Sequence, residues 1–194
     1  MKSNFPVNMQ TTETADLFMA LILYRLKHGG RVGVVLSDGF LFGTDNAKTA
    51  IKEKLLKECN LHTIVRLPKG VFEPYTDIPT NLLFFEKTGP TKDVWYFEHP
   101  LPAGYKNYTK TKPIKLSEFK LELDWWNNRE ENKYAWKVSI DDIVNNQYNL
   151  DIKNPNTLDR ELSKSSLELL EDFKTSYEKV ASIINLLEKG LVNE

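Results

Sequence analysis

The sequence predicts an α/β fold: the closing half of a doubly wound sheet, then a mixed region, then a long C-terminal helix. Three observations predict it. Residues 31–37 are a short, continuous, β-branched run directly after a helical stretch, which reads as a strand buried on both faces of a parallel sheet, and residues 61–67 read as another strand. Residues 80–86 form a third apolar run, reached through about a dozen residues without helical pattern, which permits an antiparallel return. Residues 157–189 carry a sustained four-three apolar spacing, the mark of a helical seam.

Each element has a local reason. Residues 1–11 are polar and irregular. Thr11 or Thr12 can cap a first helix, with Glu13 and Asp16 in its first turn, where carboxylates favour the helix dipole. Its body, 15–27, is apolar on most faces and is expected to pack against a sheet. Gly29 and Gly30 stop it, since glycine accepts the left-handed conformation of a helix exit. The segment 38–43 leaves the first strand at its carboxyl end, where ligands sit in open α/β sheets. A second, amphipathic helix spans 46–58. Pro68 ends the next strand, and the following loop carries Gly70, Phe72, Pro74 and Tyr75.

The character changes after residue 90. The expected divisions are 1–90, 91–156 and 157–194. Residues 94–97 read as a strand. Residues 105–115 interleave Tyr105 and Tyr108 with Lys106, Lys110, Lys112 and Lys115, either a track for a phosphate backbone or a solvated loop. Residues 125–132 read as a polar, Trp-bearing turn, with Trp125, Trp126 and Trp136 expected as packing residues. Ser139 can cap a short helix over 140–145. In the last helix the seam is Leu162, Leu169, Phe173, Val180, Ile183 and Leu187, interrupted by Ser166 and Ser176. Its length and regularity favour a partner helix or self-association.

Bulk properties exclude several function classes. A net charge of -1 gives no global basic field, so a DNA-binding surface must be local or supplied by partners. The one cysteine, Cys59, cannot form an internal disulfide, which fits a reducing cytoplasm. His28, His62 and His99 lack metal-ligand spacing. The longest apolar run, 17–26, contains Tyr24 and Arg25 and is too short to cross a bilayer.

Several segments, taken in order, are familiar. Glu13 to Phe18, Gly29 to Leu36, Asp38 to Phe42, Val65 to Phe72 and Thr80 to Phe85 resemble the middle of type I modification subunits. The likeness extends through Trp125 to Arg129 and Tyr148 to Asp151, covering about residues 4–155. That family comprises adenine-specific DNA methyltransferases of restriction systems. The resemblance implies a Rossmann-like, seven-stranded sheet that binds S-adenosylmethionine, its last strand antiparallel and inserted next to last. It implies methyl transfer to the exocyclic nitrogen of an adenine flipped out of the duplex. The partners it implies are a specificity subunit, which reads the DNA, and a restriction subunit.

The same resemblance marks candidate site residues. In related enzymes an aromatic from the loop between the last two strands contacts the flipped base, which points to Phe72 and Tyr75. Asp38 and Phe40, at the carboxyl end of the first strand, either line the donor or adenine pocket or close a core turn. Two family motifs are not found. There is no Pro-Pro pair for an Asn-Pro-Pro-aromatic segment, and Asn154-Pro155-Asn156 lacks the aromatic. Gly29, Gly30 and Gly33 lie at the wrong end of a helix for a donor-binding loop. The chain is therefore expected to start after the adenine motif, and to be unable alone to bind the donor tightly or methylate DNA. A competing expectation is a non-catalytic docking module. A third, an unrelated nucleotide-binding enzyme, is disfavoured by the missing phosphate loop.

Overall fold

The computed structural model describes residues 4–156 and 166–192. The chain divides into two compact units, Met1–Asn154 and Pro155–Glu194.

The first unit is built on a five-stranded sheet. Helix α1 spans Thr14–Arg25 and buries Asp16, Met19, Ala20 and Leu23. Its first turn has no side-chain cap; Thr11 instead accepts from the Glu13 amide one residue before the helix. Strand β1 is Arg31–Ser37 and runs straight into a short helix, α2, Asp38–Phe42. Helix α3, Asn46–Glu58, is capped by Asp45, whose carboxylate accepts from the Lys48 amide at 3.0 Å. Strand β2 is Asn60–Arg66, β3 is Thr80–Glu86 and β4 is Asp93–Glu98. Helix α4, Lys120–Trp126, and strand β5, Ala135–Ser139, follow. Ser139 accepts from the Asp142 amide and so caps α5, Ile140–Asn145.

The strand order is β1-β3-β2-β4-β5. β3 lies between β1 and β2 and is antiparallel to both, so β1 and β2 run the same way. β4 is parallel to β2, and β5 is antiparallel to β4. The sheet therefore runs across residue 90, and β4 and β5 extend the same layer.

β1 departs from its expected burial on both faces. It pairs with one strand among the described residues and is a sheet edge, with Val35 48% exposed. α1 likewise leaves Phe18 at 59% and Tyr24 at 78%. β2, with strands on both sides, is buried almost throughout.

Two apolar clusters hold the unit together. The larger joins α1, α2 and α3 to one sheet face through residues such as Met19, Phe40, Ile51, Leu83 and Tyr96. The smaller gathers Val65, Leu67, Phe97, Trp125 and Ala135. Trp125 and Trp126, expected in the turn at 125–132, close α4 instead, with Trp125 packed on Trp95 and Phe97 and Trp126 on Phe84, and the turn follows from Asn127. Trp125 and Trp136 are buried, as packing residues should be. Cys59 is fully buried, and burial pushes its thiol pKa up, away from nucleophilic use.

In the second unit, helix α6 spans Ser166–Val192. Leu162 lies outside the described residues, as do the side chains of Leu169 and Leu187.

Candidate functional site

The carboxyl ends of β1 and β2 gather several predicted residues. Asp38 opens α2, and its amide donates to the carbonyl of Pro79 at 3.1 Å. Asn81 Nδ2 donates to Asp38 Oδ1 at 2.6 Å. The carboxylate is thereby oriented from the start of β3, where the 67–79 loop ends. Two buried polar atoms at this edge, Thr80 Oγ1 and Asn81 Oδ1, have no protein partner. Phe40 does not join the site. It is 2% exposed and belongs to the main core, because α2 turns its ring inward beneath the sheet edge.

The β2–β3 loop is closed at its base by the Leu67 amide, which donates to Thr80 O. Its turns are backbone-bonded: Glu73 N to Gly70 O at 3.1 Å and Tyr75 N to Phe72 O at 2.9 Å. Phe72 is 39% exposed and Tyr75 92%. Two aromatics presented to solvent from a bonded turn suit contact with a planar ligand.

The lysine-rich segment meets this loop. Tyr108 N donates to Lys69 O at 3.0 Å. Gly70 has φ +79°, and a Cβ placed on it meets the Tyr108 carbonyl oxygen at 2.0 Å. Lys106, Lys110, Lys112 and Lys115 are all exposed, as is Lys69. Lys112 lies 5.2 Å from the Tyr105 ring, over its face. Folding thus brings the base of the loop that bears the candidate aromatics against the segment that bears the candidate phosphate-contacting lysines.

Other participants carried no local sequence signal. Arg66 pairs with Asp151 at 2.7 Å and donates to Ile152 O, while Tyr96 OH donates to Leu150 O. These contacts tie the segment 150–152 to the same strand ends. Asp151 is held below the usual carboxylate range: burial works against this, and hydrogen bonds from Lys153 and Arg66 outweigh it. A hydrogen-bonded set of the buried His99, Tyr108 and Glu122 and the half-buried Glu118 adjoins the lysine segment.

At the opposite ends of the strands there is a groove of about 590 Å³ between β1, β3 and α4. Gly33, Phe84 and Trp126 line it, with Arg31, Glu86 and Arg129 also on its wall. Arg129 sits 4.9 Å from the Trp126 ring and donates to His62 O. Burial first, and the charge of Arg129 second, lower the His62 pKa and favour the neutral ring.

The chain matches the family model described as N-6 DNA Methylase over residues 2–163. It belongs to that family. The methylase subunit of the type I restriction enzyme EcoEI, from Escherichia coli, is 54% identical across 96% of this chain. A solved modification subunit from Vibrio vulnificus YJ016, assigned to a type I restriction enzyme, is 50% identical over 84% of this chain, with a TM-score of 0.78. A chain of a type I R-M system, solved in work on its complex assembly and conformational transition, covers all of this chain at 34% identity and TM-score 0.77. The chain spans 39% of the EcoEI subunit's length and 36% and 42% of those two solved chains.

The residues present do not by themselves fit S-adenosylmethionine. A donor cradle needs glycines whose missing side chain leaves room for the ligand. Here that room is taken by the protein's own atoms: Leu26 at Gly30, Phe84 at Gly33, Lys48 at Gly43 and Tyr108 at Gly70. Gly29, Gly89 and Gly104 have open space beside an added Cβ and Gly39 meets only Ser37 Oγ at 3.6 Å, but Gly29 and Gly89 lie at the amino ends of β1 and β4, and Gly39 and Gly104 are lone glycines, so no glycine-rich strand-to-helix loop is formed among the described residues. Among the described residues no cluster of His, Cys, Asp or Glu is placed to hold a metal ion, and no helix is long and apolar enough to cross a membrane.

Proposed function

We propose that this chain is the closing part of the catalytic module of a type I modification subunit, an adenine-N6 DNA methyltransferase. The observation that carries the reading is the sheet: β3 is inserted antiparallel between β1 and β2, and the other edge of β1 is unpaired among the described residues. That arrangement is what the last three strands of a Rossmann-like methyltransferase sheet require. The opening strands, the S-adenosylmethionine site and the Asn-Pro-Pro-aromatic motif are then supplied by the rest of such a subunit. The chain alone is inactive.

In the completed enzyme the β2–β3 loop lines the flipped adenine. Phe72 and Tyr75 stack on or flank the base, a contact worth about 1–3 kcal/mol. Asp38, held by Asn81, faces the same edge. The exposed lysines 106, 110, 112 and 115 follow the neighbouring phosphates. A DNA sequence-reading specificity subunit and a restriction subunit complete the assembly.

The exposed apolar face of α6 supports a second reading, a docking module that binds the specificity subunit or associates with itself. Titration calorimetry with S-adenosylmethionine separates the two. The methyltransferase reading expects binding when the N-terminal part of a modification subunit is added, and none to the chain alone. Absence of binding in the mixture leaves the docking reading standing, and tight binding to the chain alone refutes the assignment of the donor site to the other part.

A further inference from the structure

We propose that Tyr108 is a positioning residue: it fixes the β2–β3 loop, and with it Phe72 and Tyr75, at a set reach from the exposed lysines of residues 106–115. The inference rests on the reading of that loop as the adenine-contacting one.

The starting observation is an anomaly of burial. Tyr108 is fully buried, yet it sits in a lysine-rich excursion whose neighbours Lys106, Asn107 and Lys110 are all exposed. Its hydroxyl donates to Glu118 and lies 3.3 Å from His99 Nε2. His99, 2% exposed, pairs through Nδ1 with Glu122, itself 4% exposed, and its ring lies 4.8 Å from that of Phe119. The end of β4 and the turn at 116–119 thus meet at the hydroxyl of the excursion's Tyr108, and α4 joins them through Glu122 on His99. Burial first, and the bond to Glu118 second, push the Tyr108 pKa far up, so the hydroxyl keeps its proton and remains a donor.

The other side of Tyr108 holds the loop. Its amide donates to Lys69 O, and its carbonyl occupies the space a side chain at Gly70 would need. Gly70 in turn accepts from Glu73 N, and Phe72 accepts from Tyr75 N. A chain of bonds therefore runs from Glu122 and Glu118 through Tyr108 to the turn bearing both aromatics. A turn whose tip is as exposed as Tyr75 has few apolar contacts to hold it, so this anchor decides its order.

The test uses two conservative variants of the intact chain. Tyr108→Phe keeps the ring and removes the hydroxyl; Glu118→Gln keeps the shape and removes the charge. Hydrogen exchange is read at the amides of residues 70–73, 75 and 76, with those of β2 and β4 as the reference. Loss of a charge-assisted bond predicts loop exchange faster by about tenfold or more in both variants. Reference amides should be unchanged. Unchanged loop exchange overturns the proposal, and so does equal acceleration of loop and reference amides, which signals general destabilisation. Methylation by the chain with an added N-terminal part gives the second readout: Tyr108→Phe raises KM for duplex DNA and leaves S-adenosylmethionine binding as it was. If Phe72→Ala and Tyr75→Ala impair methylation and Tyr108→Phe does not, the positioning role is wrong and the loop's contact with adenine stands. If neither aromatic matters, the reading of the loop is wrong, and the exchange data alone decide whether Tyr108 holds it.

Discussion

Lys52 has no exposed surface, yet its ammonium is not paired with a carboxylate. It donates to the carbonyl oxygens of Leu41 at 3.0 Å and Gly43 at 2.7 Å, tying the end of α2 to α3 beneath the candidate site. Burial lowers its pKa to about 8. The sign of the pH effect follows. Below that value both folded and unfolded chains carry the charge, and the folded state bears the full desolvation cost. Between about 8 and 10.5 the unfolded chain binds more protons, so stability rises with pH. A neutral amine still has the two protons that the carbonyls need. Urea titration from pH 7 to 10 should show the wild type gaining on Lys52→Met as pH increases. At pH 7 the variant should be less stable by about 1–3 kcal/mol, because the Gly43 carbonyl is left unpaired and the Leu41 carbonyl keeps only the bond from the Leu150 amide. A constant gap across the range contradicts the burial argument. None of this is legible in the sequence, where Lys52 is one of several lysines on an amphipathic helix. Phe40 shows the same limit, since a Phe at a strand's carboxyl end reads alike whether it plugs the core or lines a pocket, and its burial takes the first alternative.

Elements were more legible than their partners. α3, β3 and α5 follow the expected bounds because their signals are local: Asp45 and Ser139 cap helices, and Thr80–Glu86 is an apolar run closed at both ends by turns. The turn expected over 125–132 begins two residues later, because Trp125 and Trp126 close α4 and pack on three strand residues. The candidate site joins residues far apart in the chain, such as Arg66 with Asp151 and Gly70 with Tyr108, so no spacing rule reveals it. α6 refines its own expectation. Beside the predicted Phe173, Val180 and Ile183, the exposed set includes Leu170, Tyr177 and Ile184. Leu170, Phe173, Tyr177, Val180 and Ile184 follow a three-four spacing of their own, without the serines that interrupt the predicted seam. The apolar stripe is thus wider than a two-helix seam and suits a groove between several helices. Replacing Phe173 and Val180 together with serine should weaken capture of a specificity subunit by at least about tenfold, the scale expected for two interface anchors. Unimpaired capture in a pull-down titration assigns the docking role elsewhere.

At the scale of the molecule, the sheet ends on a strand that behaves as an interior one by composition and as an edge by position. β1 is Val- and Leu-rich, carries no proline, and has Val35 half exposed, while the outer side of α1 shows Phe18, Leu21 and Tyr24. An unprotected apolar edge of this kind is a template for pairing. If the rest of a modification subunit supplies the neighbouring strand, its binding must stabilise this unit by mass action. At a hundredfold excess over Kd the gain is about 2.7 kcal/mol. For a chain of this size that corresponds to a rise in Tm of about 5–10 °C. Val35→Glu sets a charge on the contact face while leaving the β1–β3 register intact. The wild-type chain should gain the full shift when the N-terminal part is added, and the variant should gain little. An equal shift in both places the joint away from β1, and no shift in the wild type removes the edge as the reason this half needs another.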